Sequence, residues 1–514
     1  MREFPAKQQN ALVSKLICAV ILLCFALVIA VPRYKTGIEM GDEGFLAYGA
    51  ERVLDGQIPN RDFVSLQPPL SFYTTAFFFR IFGISMVSMR ILGFCIYLLI
   101  ITMVYMVSLR FARPILALTA GILTAVMGMP VNSFTPFAVW HGILASLVAL
   151  LLVLKFTETN KRHWAFLAGI ASALIILSRH DQGFYFIIAV LIYAILVKFY
   201  LKYISPGRLL GFWTFGILAV MIPLLMFWLV CGAFPYMFRQ LIIFPLYTYH
   251  ETSSLAFPVF QGNLPLRTNL IIVSFYLTPI INFIVTIWLI IKIVRKRFYA
   301  DHTHIAFVLI ISILFYCQSL TRTDIYHFFI TLPPFFILLA LTIEALTKIF
   351  NKKWISAVII LTYLSITASF ILYTKANFLP SVKEKMAELS IERARGIKVH
   401  SIELAEKIEK VTKAIQMFSK PGDSILCLPY QPMLYFLSQR HNPTRWNYIW
   451  PGDQTAEEHK QLIEQADESH PAVVVLDEKN EMNKYAPEII EYINRKYKVA
   501  EELDFLSIYV PLNP

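Results

Sequence analysis

The sequence predicts an α-helical polytopic membrane protein with about eleven transmembrane helices and a C-terminal extracytoplasmic α/β domain. Two observations on composition and one on pattern predict this fold class. Of the 514 residues, 57% are apolar and only 16% are charged, whereas soluble chains carry roughly 25% charged residues. The charge is also uneven, because 21 of the 34 acidic residues follow Lys375, leaving 13 acids against 29 bases in the part up to it. The third observation is a series of long apolar runs.

These apolar runs are close to the roughly 20 residues that an α-helix needs to cross a hydrocarbon layer of roughly 30 Å. They lie at about 15–31, 87–109, 114–129, 137–154, 164–178, 184–197, 209–231, 269–294, 305–320, 327–346 and 354–373. The first run lacks a small-residue cleavage site and is followed by further runs, so we interpret it as an uncleaved anchor. Residues 1–375 are therefore predicted to form a transmembrane domain with a long first external loop at 33–86.

Basic residues cluster after every second apolar run, which predicts the orientation. The clusters are Arg110 and Arg113, Lys155 to Arg162, Lys198 to Arg208, 292–297 and 348–353. Because Lys and Arg near helix ends are retained in the cytoplasm, we predict a cytoplasmic N-terminus, a multi-pass location in the inner or plasma membrane, and an extracytoplasmic tail. These loops account for the net charge of +12, and no concentrated basic face indicates a nucleic-acid partner.

The tail, residues 376–514, alternates helical and strand patterns. A charged amphipathic stretch is followed by "PGDSILCLP", by "TAEEHKQLIEQADES" and by "PAVVVLDE", which predicts a small α/β domain with strands buried on both faces. The segment "LPYQPMLYFLSQRHNPTRWNYIWPGDQ" is dense in Arg and aromatic residues. An acceptor-binding face and a packed domain core explain it equally well.

The first external loop contains an adjacent acidic pair, Asp42 and Glu43. Such a pair can provide a general base, bind a metal, or stabilise the positive end of a helix, with Asp42 as N-cap. The chain then returns to the membrane through Pro68 and Pro69, which fix a rigid turn. The following stretch "LSFYTTAFFFRIFG", which includes Tyr73, predicts an amphipathic helix on the bilayer surface.

Two short polar turns interrupt the apolar pattern on the external side. The turn "SRHDQG" carries Arg179, His180 and Asp181, and the turn "TRTDIYH" carries Arg322, Asp324 and His327. Charged groups at membrane depth typically face a cavity or a partner. The two arginines suit an anionic phosphate, although internal ion pairs, Arg179 with Asp181 and Arg322 with Asp324, are equally open. A divalent metal is not favoured, because no local spacing such as H-x-x-x-H is present.

Taken together, these motifs resemble the C-type superfamily of integral-membrane glycosyltransferases, which use polyprenyl-phosphate sugars. The similarity is to bacterial protein O-mannosyltransferases and the aminoarabinose transferase of lipid A. "GDEGFLAYGAERVLDGQIP" is similar to that family's acidic first-loop motif, and "QPPLSFY" resembles its "PPL" re-entry. "SRHDQG" and "TRTDIYH" are similar to its later basic motifs. The tail lacks the "WWDYG" signature of oligosaccharyltransferases, which argues against transfer of preassembled glycans to asparagine.

The resemblance implies roles for the residues named above. It implies that Asp42 is the catalytic acidic residue, that Glu43 shapes its surroundings, and that Arg179 and Arg322 hold the phosphate of a polyprenyl-phosphate-linked sugar. It implies an inverting transfer to an acceptor that is a protein, a lipid or a glycan, with no certain cofactor. Weaker substrate-binding candidates are His180, Asp181, Asp324, His327, Pro68, Pro69 and Tyr73.

The alternative is a transporter or flippase for a lipid-linked sugar, which would use external arginines equally well. Transporters often carry ionisable or broken segments near the midplane in matched halves. Here the charges cluster at one face, and the two halves show no visible symmetry. The glycosyltransferase interpretation is therefore preferred.

Overall fold

A computed structural model gives the architecture of a helical membrane layer and an external layer. It describes residues 6–127, 134–249, 255–259, 266–323, 325–349, 354, 356–358, 360, 361, 364, 365, 386–504 and 506–512.

The membrane layer consists of long apolar helices. They are α1 (Ala6–Ala30), α4 (Met86–Ser108), α5 (Pro114–Met127), α6 (Ala138–Thr159), α7 (Arg162–Ser178), α8 (His180–Tyr200), α9 (Pro206–Val230), α11 (Leu266–Val294), α12 (Ala300–Ser319) and α13 (Leu332–Ile349). The predicted fold class is confirmed, because each of the first ten predicted apolar runs falls on a helix. The eleventh run, 354–373, lies largely outside the described residues.

Within the described part of the chain, eight helices are long and apolar enough to cross a membrane, and the shorter apolar helices include Pro114–Met127 and Arg162–Ser178. At 1.5 Å per residue, a helix of 14 residues extends only about 21 Å. Helix α5 is buried along almost its whole length, where it contacts α1, α4 and α13. By contrast, α1 and α9 expose large apolar side chains such as Val28 and Met226, as expected of surfaces that face lipid.

The first external loop contains two helices that lie outside this bundle. Helix α2 (Asp42–Leu54) packs on α3 (Leu70–Phe82), with the rings of Phe45 and Phe72 at 5.6 Å. Helix α3 buries one face and exposes an apolar stripe that includes Tyr73, Phe77 and Ile81. This stripe is what an interfacial helix requires. Beyond α9, the short helix α10 (Phe234–Phe238) continues into π-helical turns at Arg239–Ile243 and Pro245–Tyr249.

The tail forms the predicted α/β domain. Its helices are α14 (Ile402–Phe418), α15 (Pro432–Ser438), α16 (Ala456–Ser469) and α17 (Pro487–Lys496), and its strands are β1 (Ala387–Glu388), β2 (Lys398–Val399), β3 (Ile425–Leu428), β4 (Val473–Asp477), β5 (Tyr497–Leu503) and β6 (Leu506–Pro511). The main sheet has the order β3-β4-β6-β5, in which β3 and β4 are parallel and the other pairs antiparallel. Every residue of β3 and β4 is buried. The predicted domain boundary at 375/376 lies outside the described residues.

The first loop and the tail share one hydrophobic core. It contains Phe45, Tyr48 and Phe72 from the loop together with Met433 and Phe436 from the tail. Backbone hydrogen bonds cross the same interface, from Gly37 N–H to the Lys398 carbonyl (2.8 Å) and from Val64 N–H to the Arg445 carbonyl (2.8 Å). The tail therefore lies directly over the predicted catalytic loop.

Candidate functional site

The acidic pair lies at the N-terminus of α2, where three carboxylates have three different environments. Gly41 occupies the N-cap position and Asp42 is the first helical residue. The side chain that caps the helix is Glu39, which accepts hydrogen bonds from the N–H groups of Gly41 (2.7 Å) and Glu43 (2.6 Å). This corrects the alternative in which Asp42 is the N-cap, and it frees the Asp42 carboxylate from a capping role.

The Asp42 side chain is solvent-exposed and meets the tail at one oxygen. The hydroxyl of Tyr430 donates a hydrogen bond to Asp42 Oδ1 at 2.5 Å. Burial raises the pKa of Tyr430 well above its ordinary value, and the charge of Asp42 adds to this rise. Tyr430 therefore remains a protonated donor at neutral pH, and the accessible Asp42 carboxylate lies where the loop and the tail meet.

Glu43, in contrast, is completely enclosed. Its carboxylate accepts two hydrogen bonds from the guanidinium of Arg90 on α4, at 2.8 and 2.9 Å, and both side chains are 0% exposed. The hydroxyl of Thr135 donates a further bond at 2.8 Å. The sequence predicted a role for Glu43 beside the catalytic Asp42. In this geometry Glu43 holds α2 against α4 and presents no free surface to a substrate.

Glu39 is a third carboxylate in the same cluster. Desolvation of its carboxyl group raises the pKa of Glu39 to about 7, and the neighbouring charges of Asp42 and Glu43 contribute smaller increases, although the residue as a whole remains exposed at the surface. Two backbone N–H bonds oppose the rise. The Glu39 carboxyl group, which lies next to Asp42, therefore changes its charge near neutral pH.

The "SRHDQG" turn is compact, since Arg179 is the single residue between α7 and α8. Its guanidinium forms an ion pair with Asp181 at 2.5 Å, with both side chains partly exposed. The internal ion pair, one of the two interpretations that the sequence left open for this turn, is thus present. The Asp181 carboxylate also accepts a hydrogen bond from Gln318 of α12 at 2.7 Å. Because Gln318 lies just before the "TRTDIYH" turn, this contact brings the two predicted polar turns together.

The other predicted residues are distributed around these turns. Arg322 follows the C-terminus of α12 and His327 lies in a short helix, Ile325–Phe328, and both are partly buried. Asp324 lies outside the described residues, so its predicted pairing with Arg322 is not described. His180 begins α8 and is also partly buried.

The re-entry turn is placed at the base of α3. Pro68 and Pro69 are buried, and Pro69 precedes the first residue of α3. Tyr73 is 38% exposed on the apolar stripe. On the next residue, the hydroxyl of Thr74 lies 2.9 Å from Nε2 of His141 on α6, which ties α3 to the bundle.

Neither the acidic pair nor the polar turns form a metal centre in the described residues, where no group of three or more His, Cys, Asp or Glu side chains is placed to hold an ion. Side-chain hydrogen bonds join Asp42 to Tyr430 and join Glu43 to Arg90 and Thr135. In the "SRHDQG" turn, Asp181 is hydrogen-bonded to Gln318. The site therefore has two parts, an acidic part beneath the tail and a basic part at the helix ends.

Sequence reasoning missed five residues of this arrangement: Glu39, Arg90, His141, Gln318 and Tyr430. Arg90 and His141 could have been identified from the sequence, because each is a polar residue near the external end of a predicted apolar span. Tyr430 lies in the aromatic segment of the tail for which two interpretations were open. Most of that segment is domain core, since residues 433–437 are at most 1% exposed, but Tyr430 reaches the acidic pair.

Comparison with known proteins agrees with this architecture. Residues 66–228 match the family model described as dolichyl-phosphate-mannose-protein mannosyltransferase. The matched range includes the Pro68-Pro69 turn and Arg179 but begins after Asp42. No curated protein sequence matches the chain. The chain has the fold of the integral-membrane C-type glycosyltransferases, and the resemblance that the sequence motifs indicated is confirmed.

Two solved structures carry this fold over nearly the whole chain. ArnT from Cupriavidus metallidurans, bound to undecaprenyl phosphate, aligns with a TM-score of 0.59 at 13% identity, covering 97% of this chain and 98% of that one. The oligosaccharyltransferase AglB from Archaeoglobus fulgidus, in complex with an inhibitory peptide and a dolichol-phosphate, aligns with a TM-score of 0.57 at 12% identity, covering 99% and 75%. At these identities the likeness concerns the fold.

Proposed function

We propose that the protein is a glycosyltransferase that moves a single sugar from a polyprenyl-phosphate donor to an extracytoplasmic protein, lipid or glycan, with inversion at the anomeric carbon. The observation that carries this proposal is the contrast within the acidic pair. Glu43 is enclosed and neutralised by Arg90, while Asp42 is exposed at the positive end of α2. Of these two carboxylates, only that of Asp42 can contact a substrate.

In the proposed reaction, an acceptor hydroxyl attacks the anomeric carbon of the donor sugar. The new bond forms between the acceptor oxygen and this carbon, the bond from the carbon to the phosphate oxygen breaks, and Asp42 takes the hydroxyl proton. Polyprenyl phosphate leaves with the electron pair. If the acceptor is a phosphate, it needs no base, and Asp42 orients it instead. Both known structures named above were solved with polyprenyl phosphates, which supports this donor class.

Arg179 and Arg322 are the proposed phosphate ligands. They lie in turns that the Gln318–Asp181 bond holds together, and a guanidinium donates two parallel hydrogen bonds to a phosphate. Charge accumulates on the leaving phosphate as the bond breaks, so fixed arginines stabilise it most at that stage. Asp181 would then act as the counter-ion that orients Arg179 before the donor binds.

The test is mass spectrometry of envelope glycans and glycolipids in a host from which the gene is deleted and then restored. We expect a sugar to disappear on deletion, to return with the wild-type protein and to stay absent with Asp42→Asn. Asp55→Asn is the matched control, because Asp55 is an exposed aspartate at the other end of the same helix, and it should restore the sugar. Full restoration by equally expressed Asp42→Asn would contradict the proposal and leave transport of a lipid-linked sugar as the better interpretation.

A further inference from the structure

The two glycines that flank the acidic pair, Gly41 and Gly44, are in close contact with the tail. A Cβ atom on Gly41 would lie 2.7 Å from Cε1 of Tyr430, and one on Gly44 would lie 2.3 Å from the backbone nitrogen of Met433. The Met433 N–H donates a hydrogen bond to the carbonyl of Met40 at 3.1 Å. The absence of side chains at these positions thus allows the tail to dock directly on the N-terminus of α2, at the residues that carry the chemistry.

Tyr430 lies at this contact between α2 and the tail, and neighbouring residues pack against its ring on several sides. One edge rests on Gly41, the ring of Tyr448 lies at 6.0 Å and that of Trp450 at 5.7 Å. The hydroxyl is directed at Asp42 Oδ1. A phenol held by packing on a rigid domain is an oriented hydrogen-bond donor, whereas an exposed aspartate at a helix end would otherwise sample several rotamers.

We propose that Tyr430 of the tail is a positioning residue for Asp42, and that the tail completes the active site through this hydrogen bond. The inference rests on the proposed function and adds the role of the tail to it. By occupying Oδ1, the Tyr430 hydroxyl leaves Oδ2 to receive the acceptor proton, or to orient an acceptor phosphate. Tyr430 exchanges no proton during the transfer, because burial keeps its hydroxyl protonated.

The test compares variants of the full-length protein in lipid nanodiscs. The donor is an undecaprenyl-phosphate sugar that carries the sugar found missing in the deletion host, and the acceptor is a membrane extract of that host. Tyr430→Phe keeps the ring and removes the hydroxyl. Because hydrogen bonds to charged groups are among the stronger ones, we expect kcat to fall about 10- to 100-fold, with KM and the unfolding temperature unchanged.

Two controls separate positioning from packing. Tyr448→Phe removes a hydroxyl from the adjoining ring and should leave kcat within about twofold of wild type. In an Asp42→Glu background, whose carboxylate is displaced by one methylene, adding Tyr430→Phe should reduce kcat much less than it does in the wild type, since the hydrogen bond is already lost.

Three results would overturn the inference: an unchanged kcat in Tyr430→Phe, a loss of kcat that only follows a loss of folded protein, or an equal loss in the Asp42→Glu background. Full activity of Asp42→Asn is a different result. It would contradict the proposed function itself, so failure of the proposed function can be distinguished from failure of the proposed role of Tyr430.

Discussion

At the scale of residues, the chain separates the roles of three carboxylates that lie within five positions. Arg90 neutralises Glu43 in a dry environment, the N–H groups of α2 bind Glu39, and Asp42 faces solvent and Tyr430. A buried charge is tolerated only when it is paired and hydrogen-bonded. The partners therefore determine which carboxylate is structural and which remains available for chemistry.

Glu39 predicts a pH dependence of stability. The folded protein holds the Glu39 proton up to a pKa of about 7, whereas the unfolded chain releases it near the ordinary value of 4.5. A raised pKa in the folded state contributes stability that is complete below the unfolded pKa and is lost as pH rises through the folded one. Relative to Glu39→Gln, the wild type should therefore be less stable at about pH 8 than at about pH 5.

Thermal unfolding of the purified protein, followed by intrinsic fluorescence at both pH values, measures this difference. Glu491→Gln removes an exposed carboxylate from α17 of the tail and serves as the control, for which the pH dependence should match the wild type. If Glu39→Gln and wild type changed in parallel between the two pH values, the raised pKa of Glu39 would be refuted.

The residues that the sequence did and did not reveal differ in one physical respect. Asp42, Arg179 and Arg322 were visible because they break an apolar pattern locally. The hydrogen bond from Tyr430 to Asp42 spans 388 positions of the chain, and the pair of Arg90 with Glu43 spans 47. Such pairings depend on how helices and domain pack, so no local pattern contains them.

At the scale of elements, α2 is fixed on three sides. It packs on α3 through aromatic rings, it is tied to α4 by the Glu43–Arg90 pair, and it is tied to the tail by Arg52, whose guanidinium donates to the side chain of Asn447 at 3.1 Å. An ion pair between Glu51 and Arg393, at 2.6 Å, also joins α2 to the tail. The helix that carries Asp42 is therefore a rigid support.

The ion pair between α2 and α4 predicts a non-additive effect of mutation. Arg90→Met leaves the Glu43 carboxylate buried without its cation, which costs about 3–5 kcal/mol for a buried pair. The double variant Glu43→Gln/Arg90→Met removes both charges and should be more stable than Arg90→Met alone. Thermal unfolding in detergent measures both. The control is Arg80→Met, which removes an exposed arginine on α3 and should change the unfolding temperature little.

Equal stability of the single and double variants would show that the Glu43 charge finds another partner when Arg90 is absent. Retained activity of the double variant would not contradict a catalytic Asp42. It would only show that the other two attachments of α2 suffice to hold the helix.

Helix positions were predicted well and helix ends less well, for a physical reason. Hydropathy detects the apolar part of a helix, but backbone hydrogen bonding continues into polar residues. The helix over the run predicted at 184–197 spans His180–Tyr200, so His180 and Asp181 of the "SRHDQG" turn belong to the helix. In the tail, "AVVVL" could be assigned to a strand because a fully apolar β-branched run buries both faces, whereas the order of the sheet required the structure.

At the scale of the whole molecule, polar contacts gather at two ends of the bundle. At one end, Arg113 pairs with Glu344 at 2.8 Å and Arg110 pairs with Glu158, all within or beside the basic loops. At the other end, Gln318 binds Asp181, and the tail covers the first loop. The alternating helices therefore separate a basic face from a face that holds the candidate site.

This separation predicts the sidedness of the protein. A cysteine introduced at Lys420 in the tail should react with a membrane-impermeant maleimide added to intact cells, whereas a cysteine at Lys202, in the basic loop after α8, should react only after the membrane is permeabilised. Both positions are exposed. The experiment needs a background in which the accessible native cysteines are serine. Labelling of Lys202→Cys in intact cells would show that the topology is the reverse of the predicted one. Asp42 would then face the cytoplasm, where nucleotide sugars are available as donors.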